Sequence, residues 1–218
     1  MTKALRIAVE GNIGVGKSTL LPKLQEALIE SGAGDWEILS ERVDEDPEFK
    51  NLLDEFYKDP NQQAKLQSWI THRRQREFLA AADHPQHYLF ERSFLGELVF
   101  CHANLLRHEK PEGQFISFYY NVTEALKKCK YDAVIYLKAS PQACYDRIRY
   151  RARDAENTIA YDYVQHLHDC YEIHLPEAAR HFGVPVLTLD WENFGKIDTV
   201  VDQLCGMLET AQRKIVSI

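Results

Sequence analysis

Residues 6–24 read Arg-Ile-Ala-Val-Glu-Gly-Asn-Ile-Gly-Val-Gly-Lys-Ser-Thr-Leu-Leu-Pro-Lys-Leu, and this stretch decides the fold. It begins as a short apolar strand and ends as the opening of a helix. Between the two lies Gly11-Asn12-Ile13-Gly14-Val15-Gly16-Lys17-Ser18, followed by Thr19, an instance of GxxxxGK[ST]. The motif is specific here because strand, loop and helix stand in the required order. Its glycines let successive backbone N–H groups turn inward around phosphate oxygens. The helix N-terminus adds partial positive charge. Lys17 is placed to bridge the terminal phosphates, and the Ser18 hydroxyl to bind Mg²⁺. Residues 11–19 are therefore expected to hold a nucleoside triphosphate. What receives the phosphate stays open at this point: water, a protein, a nucleotide or a small alcohol.

Outward from that loop, apolar segments at 5–9, 36–39, 88–90, 133–137 and 184–189 read as buried strands. Helical patterns separate them, at 17–31, 47–59, 62–82, 94–107, 112–129, 141–153, 161–181 and 196–214. Alternating strands and helices imply right-handed crossovers and a parallel sheet covered on both faces. The expectation is one α/β domain over residues 1–218 with a five-stranded parallel sheet. The long helical segment between the second and third strands is expected over the carboxyl ends of the strands, where such sheets bind ligands.

Composition agrees with a globular chain: 45% of the 218 residues are apolar and 27% charged. Collagen, coiled coil and general disorder are excluded on that ground. The net charge of −7 disfavours general nucleic-acid binding but leaves room for a local basic pocket. Cysteines stand at 101, 129, 144, 170 and 205, odd in number and without a CxxC pair, which suits a reducing compartment. No run approaches the ~20 apolar residues of a membrane span, and the opening MTKALRIAVEGN is too soon interrupted for a signal peptide. The expected location is cytoplasmic, without membrane or nucleic-acid partners.

Three further places carry chemistry. Glu41 closes the second strand and faces the phosphate loop, where a carboxylate could take a proton from an attacking hydroxyl; a solvated acid in a charged loop is the alternative. Glu91-Arg92-Ser93 closes the third strand, with Glu91 where a metal-linked acid is found and Arg92 suited by its planar fork to phosphate or carboxylate. Arg147, Arg149, Arg151 and Arg153 fall within seven residues of an acidic chain. On a helix Arg147 and Arg151 share one face, Arg149 and Arg153 another. Such a cluster suits charge stabilisation on a transferring phosphoryl group, or else forms a solvated cationic face. His166, Cys170 and His174 recur at helical spacing, but the apolar face of that helix passes through Val164, Leu167, Tyr171 and Leu175, so the trio reads as off the core and not as a metal site.

Taken together, the chain resembles the deoxyribonucleoside kinase family. The resemblance runs from residue 7 to about 167 and rests on GNIGVGKST, Glu41-Arg42-Val43, Leu52-Leu53-Asp54-Glu55-Phe56-Tyr57-Lys58-Asp59-Pro60, Leu66-Gln67-Ser68-Trp69, Glu91-Arg92-Ser93 and Ile135–Pro141 leading into the arginines. It implies phosphorylation of a deoxynucleoside 5′-hydroxyl by ATP with Mg²⁺. By this resemblance Glu41 is the general base and Arg92 holds that carboxylate and the developing phosphate charge. Glu91 lies near Mg²⁺ beside Ser18. Tyr57 and Glu156 bind the sugar 3′-hydroxyl, and Gln67 reads the base edge. Arg151 and Arg153 act on the ATP phosphates from a lid at about 147–158, and Arg147 stacks on the adenine. Many members are homodimers, so a homodimer is implied. The aromatic that packs on the base in relatives falls here at Cys101, with Phe100 just before it.

Gln67, Ile70 and Arg74 share one helical face, and Glu97 is the expected partner of Arg74. In the family such a pair accompanies purine and deoxycytidine use, so deoxyadenosine, deoxyguanosine or deoxycytidine is expected over thymidine. A thymidine-preferring kinase and a thymidylate-type monophosphate kinase are the alternatives. The latter needs an extra cationic site at its acceptor, whereas Tyr57 and Glu156 suit a neutral hydroxyl. A nucleotide-driven switch would show an apolar strand ending in Asp, where this one ends in Glu91-Arg92.

Overall fold

In a computed structural model the described residues are 3–41, 46–59, 62–105, 112–153 and 156–216. The chain runs β1 (Arg6–Gly11), α1 (Lys17–Glu30), β2 (Trp36–Leu39), α2 (Pro47–Lys58), α3 (Gln63–Ala82), β3 (His87–Glu91) and α4 (Phe94–Leu105). It continues through α5 (Glu112–Lys128), β4 (Ala133–Lys138), α6 (Pro141–Arg151), α7 (Tyr161–Phe182), β5 (Val186–Asp190) and α8 (Ile197–Val216). The five strands form one parallel sheet in the order β2-β3-β1-β4-β5.

β1 lies at the centre and is buried along its whole length, as a parallel strand covered on both faces must be. Val9 pairs with Glu91 on one side and Ile135 on the other. This register brings the phosphate loop after β1 beside the Glu91-Arg92 end of β3. Ile7, Val9, Leu89, Val134 and Ile135 are fully buried and join Leu20, Leu24 and Leu28 of α1 and Val164, Leu167 and Tyr171 of α7 in the main core.

Helix starts follow local chemistry. Asp46 caps α2 by accepting from Glu48 and Phe49 N–H, with Pro47 in the first turn. Ser140 caps α6 by accepting from Ala143 N–H, ahead of Pro141. Phe49, Leu52, Phe56 and Leu66 form a second apolar cluster between α2 and α3. These two helices make a roof over the carboxyl ends of the strands.

β5 begins at Val186, later than the expected 184, because Pro185 has no N–H for the ladder and supplies only its carbonyl to Val134. α6 stops at Arg151, where Ala152 turns left-handed (φ 50°) and bonds back to Ile148, so Arg153 is not on the helix and shares no helical face with Arg149. Of the expected lid, 147–151 is the end of α6, and 154–155 lie outside the described residues. The turn after Glu41 (42–45) and Pro60 also lie outside them, as does the expected end of α4 at 106–107. Among the described residues no helix is long and apolar enough to cross a membrane.

Candidate active site

A cleft opens between the phosphate loop, the ends of β2 and β3, the α2–α3 roof and residues 151, 153 and 156. Gly14 (φ 76°) shows why the loop needs glycine: a Cβ there would lie 2.4 Å from the carbonyl oxygen of Cys144. Lys17 Nζ donates to the carbonyls of Gly11 (3.1 Å) and Asn12 (3.0 Å). Burial, with Arg92 nearby, pushes the Lys17 ammonium down to about 8, against the pull of Glu41, Glu91 and Glu10. Ser18 Oγ donates to Glu91 Oε1 at 2.7 Å, and Glu91 Oε2 accepts from the Glu41 N–H at 3.2 Å. A hydroxyl and a carboxylate set side by side at the phosphate loop are hard oxygen donors of the kind Mg²⁺ takes.

Glu41 and Arg92 meet at the middle of the cleft. Arg92 Nε lies 3.0 Å from Glu41 Oε1, and Arg74 Nη2 approaches the same oxygen at 3.5 Å. Burial pushes the Glu41 carboxyl up, but Arg92, Arg74 and Lys17 together outweigh it and hold it below the ordinary range. It is ionised at neutral pH, as a proton acceptor must be. Arg92 itself is left-handed (φ 70°), a backbone conformation that non-glycine residues rarely adopt. Its Nη1 donates to the Gly11 carbonyl at 3.0 Å and to the Tyr171 hydroxyl at 2.9 Å.

The far end of the cleft is polar and buried. Arg74 pairs with Glu97, whose second oxygen accepts from Thr71 Oγ1 at 2.6 Å. Burial raises the Glu97 carboxyl, opposed by Arg74 and Thr71. Gln67 lines the same space, only 4% exposed, and its Oε1 has no partner among the described residues. Ile70 of the same helix face also lines it. Tyr57, Tyr163 and Glu156 close one wall, with Tyr163 donating to Asn104 at 3.0 Å. Burial, with Tyr163 and Glu156 close by, holds the Tyr57 phenol well above its ordinary range. Phe100, not Cys101, faces the cleft; Arg92 sits over its ring at 4.8 Å, while Cys101 is buried in the core with its thiol pushed up by burial.

The arginines divide. Arg151 and Arg153 line the cleft and both reach Glu156, Arg151 Nη2 at 2.6 Å from Oε1 and Arg153 Nη1 at 3.7 Å from the same oxygen. Arg147 is not among the cleft residues. It donates to the carbonyls of Val15 (3.0 Å), Trp191 (3.2 Å) and Glu192 (2.6 Å) and lies 4.1 Å over the Phe194 ring. It thereby ties the phosphate loop to the segment after β5, with one guanidinium face taken by Phe194. Arg149 donates to the Asn157 carbonyl at 3.0 Å.

Glu10, Tyr171 and Asn104 escaped the sequence reading. Glu10 had a signal: it is a carboxylate inside the apolar strand that feeds the phosphate loop. Tyr171 had none, since it reads as an apolar residue of its helix. The histidine trio also needs amending, because Cys170 is itself buried against the core. His166 Nε2 contacts the Ala103 carbonyl at 2.9 Å, and His174 stacks on His102 at 3.9 Å. No metal-ligand cluster occurs among the described residues.

Three comparisons bear on this geometry. The sequence matches the profile of the deoxynucleoside kinase family over residues 7–211. It is 34% identical over 191 residues to a probable deoxycytidine kinase of fowlpox virus, covering 85% of this chain and 78% of that one. It is 29% identical over 210 residues to a deoxyguanosine kinase of Dictyostelium discoideum, covering 91% and 68%. The fold superposes on the deoxyadenosine kinase of M. mycoides solved with bound dATP, with a TM-score of 0.75 at 24% identity over 92% of this chain and 98% of that one.

Proposed function

The chain belongs to the deoxynucleoside kinase family, and from that premise we propose that it transfers the γ-phosphate of ATP to the 5′-hydroxyl of deoxyadenosine, deoxyguanosine or deoxycytidine in preference to thymidine. The observation that carries this reading is the position of Glu41. It is an ionised carboxylate held 3.0 Å from Arg92, between the phosphate loop and the buried Arg74–Glu97 pair.

In this reading Glu41 accepts the 5′-hydroxyl proton as the oxygen attacks phosphorus. Arg92 keeps that carboxylate aimed and offers its remaining donors to the charge that develops on the transferring group. Residues 11–19 wrap the triphosphate, with Lys17 giving up its carbonyl partners for phosphate oxygens. Ser18 and Glu91 are the residues that would hold Mg²⁺, which when bound neutralises phosphate charge. Tyr57 and Glu156 bind the sugar 3′-hydroxyl, and Arg151 and Arg153 close on the phosphates as a lid that excludes water. Arg147 serves the adenine side.

Base choice rests on hydrogen-bond inventory. The Gln67 amide, whose Oε1 has no partner among the described residues, offers an acceptor and a donor to a base edge. The Arg74–Glu97 pair offers both donors and an acceptor beside it. The names of the relatives, kinases of deoxycytidine and deoxyguanosine, support the same direction. The reading extends to a single kinase domain over 1–218, a cytoplasmic homodimer acting in nucleotide salvage on small molecules, without nucleic-acid or membrane partners.

The test is kcat/KM for the four deoxynucleosides with ATP and Mg²⁺. Preference for thymidine overturns the base assignment. A site built on buried hydrogen bonds can reject a mismatched analogue by up to ~10⁴, so the preference is expected to be plain.

A further inference from the structure

Glu10 is a buried acid that the proposed chemistry leaves without a task. It is fully buried in β1, one residue before the phosphate loop, and burying a carboxylate is costly unless every oxygen is satisfied. Its oxygens are satisfied, and each bond leads to Arg92 or to the residue after it. Oε1 accepts from the Ser93 N–H and from Ser93 Oγ, the latter at 2.7 Å. Oε2 accepts from the Tyr171 hydroxyl at 3.0 Å and lies 3.9 Å from Arg92 Nη1. The Tyr171 hydroxyl in turn accepts from Arg92 Nη1 at 2.9 Å.

We propose that Glu10 and Tyr171 are positioning residues for Arg92, an aligned relay that fixes the guanidinium so that its Nε meets Glu41. The inference rests on the reading of Glu41 and Arg92 as the catalytic pair. Three observations support it. First, the relay grips Arg92 from both ends: Glu10 holds the backbone of Ser93, and Tyr171 holds Nη1. Arg92 carries a left-handed backbone (φ 70°), which persists only where the surroundings over-determine it. Second, the hydroxyl is the hinge of the relay. Without it Nη1 keeps the Gly11 carbonyl but loses its second acceptor, and the link to Glu10 is broken. Third, α4 is built to admit the carboxylate. A Cβ at Gly96 would fall 2.3 Å from Glu10 Oε1 and 2.4 Å from Oε2, so a glycine stands in the first turn where the acid enters. The partial positive charge of that helix end favours the carboxylate as well.

The alternative is a packing network with no bearing on catalysis. Tyr171 stacks on Tyr136 and meets Phe100 edge-on, and a phenylalanine keeps both ring contacts. Tyr171→Phe therefore removes the hydroxyl alone, and Glu10→Gln keeps shape while removing charge. The experiment measures kcat and both KM values for each variant, alone and with Arg92→Lys, alongside thermal unfolding. Misplacing a catalytic group costs up to ~10²-fold, so Tyr171→Phe is expected to lower kcat by ~10-fold or more, with each KM moving less than about twofold. Residues that act as one unit are non-additive, so in the Arg92→Lys background the same change should cost less than about twofold. A near-normal kcat in both single variants overturns the proposal, and so do losses that multiply with Arg92→Lys. If neither variant folds, the relay is a folding element and the proposal fails. Normal kcat in Arg92→Lys itself would instead bring down the catalytic pair, a distinct result.

Discussion

Arg151, the last residue of α6, donates from Nη2 to Glu156 Oε1 at 2.6 Å. The family resemblance gives these two residues different ligands, the ATP phosphates and the sugar 3′-hydroxyl. Here each is the other's partner, and Glu156 is buried while Arg151 reaches in from the rim. A phosphate that draws Arg151 away leaves the Glu156 carboxylate open to a hydroxyl donor.

The first prediction follows from that exchange. Each substrate should tighten the binding of the other, since coupling between sites is reciprocal. Calorimetry with a non-hydrolysable ATP analogue is expected to lower the nucleoside Kd by ~5-fold or more, within the usual range of site coupling. Arg151→Gln should abolish most of the effect. Equal nucleoside affinity with and without the analogue would show that the pair does not link the sites.

Glu41→Gln keeps the shape of the side chain and removes the proton acceptor. Its kcat is expected to fall by ~10²–10⁴, the usual range for a general base, with little change in nucleoside binding. A variant with near-normal kcat would shift the role to Glu91, the other carboxylate at the phosphate loop.

Lys17 predicts how ATP affinity changes with pH. Burial with Arg92 beside it lowers its ammonium to about 8, so the empty site loses this cation as pH rises through that value. A bound triphosphate favours the charged form and raises the pKa again. ATP affinity is therefore full well below pH 8 and declines as pH rises through it, and binding near pH 8.5 takes up a proton. Titration in buffers of different ionisation enthalpy reads that uptake. ATP binding at that pH without proton uptake would contradict the assignment.

Arg74 and Glu97 make a fourth case. Removing one partner of a buried ion pair strands the other charge, at a cost of about 3–5 kcal/mol, reduced here because Glu41 also faces Arg74. Glu97→Ala should thus unfold at a lower temperature than the Arg74→Met, Glu97→Ala double variant. That double variant should also gain thymidine activity. Thermal unfolding and kcat/KM for thymidine check the two halves, and a double variant with no thymidine gain would place base choice elsewhere.

The sequence by itself determined the fold and the strand, loop and helix around residues 11–19. Both are local or periodic properties: a glycine-rich loop between strand and helix, apolar runs of strand length, and helical spacing between them. Such patterns are written in contiguous residues, and the family resemblance read the scattered pairs Glu41–Arg92 and Arg74–Glu97 by comparison. Where a short-range rule was pushed past its local cause, it slipped. Helical periodicity carried Arg153 onto a helix that Ala152 ends, and an apolar count began β5 before Pro185. Only the tertiary structure decided that Phe100 turns into the cleft while Cys101 turns to the core, because a one-residue step rotates a helical side chain by ~100° and packing alone fixes the phase. Only the tertiary structure brought Glu10 and Tyr171 together beside Arg92. They are 161 residues apart, and a buried carboxylate is stable only where the fold supplies its donors from distant segments.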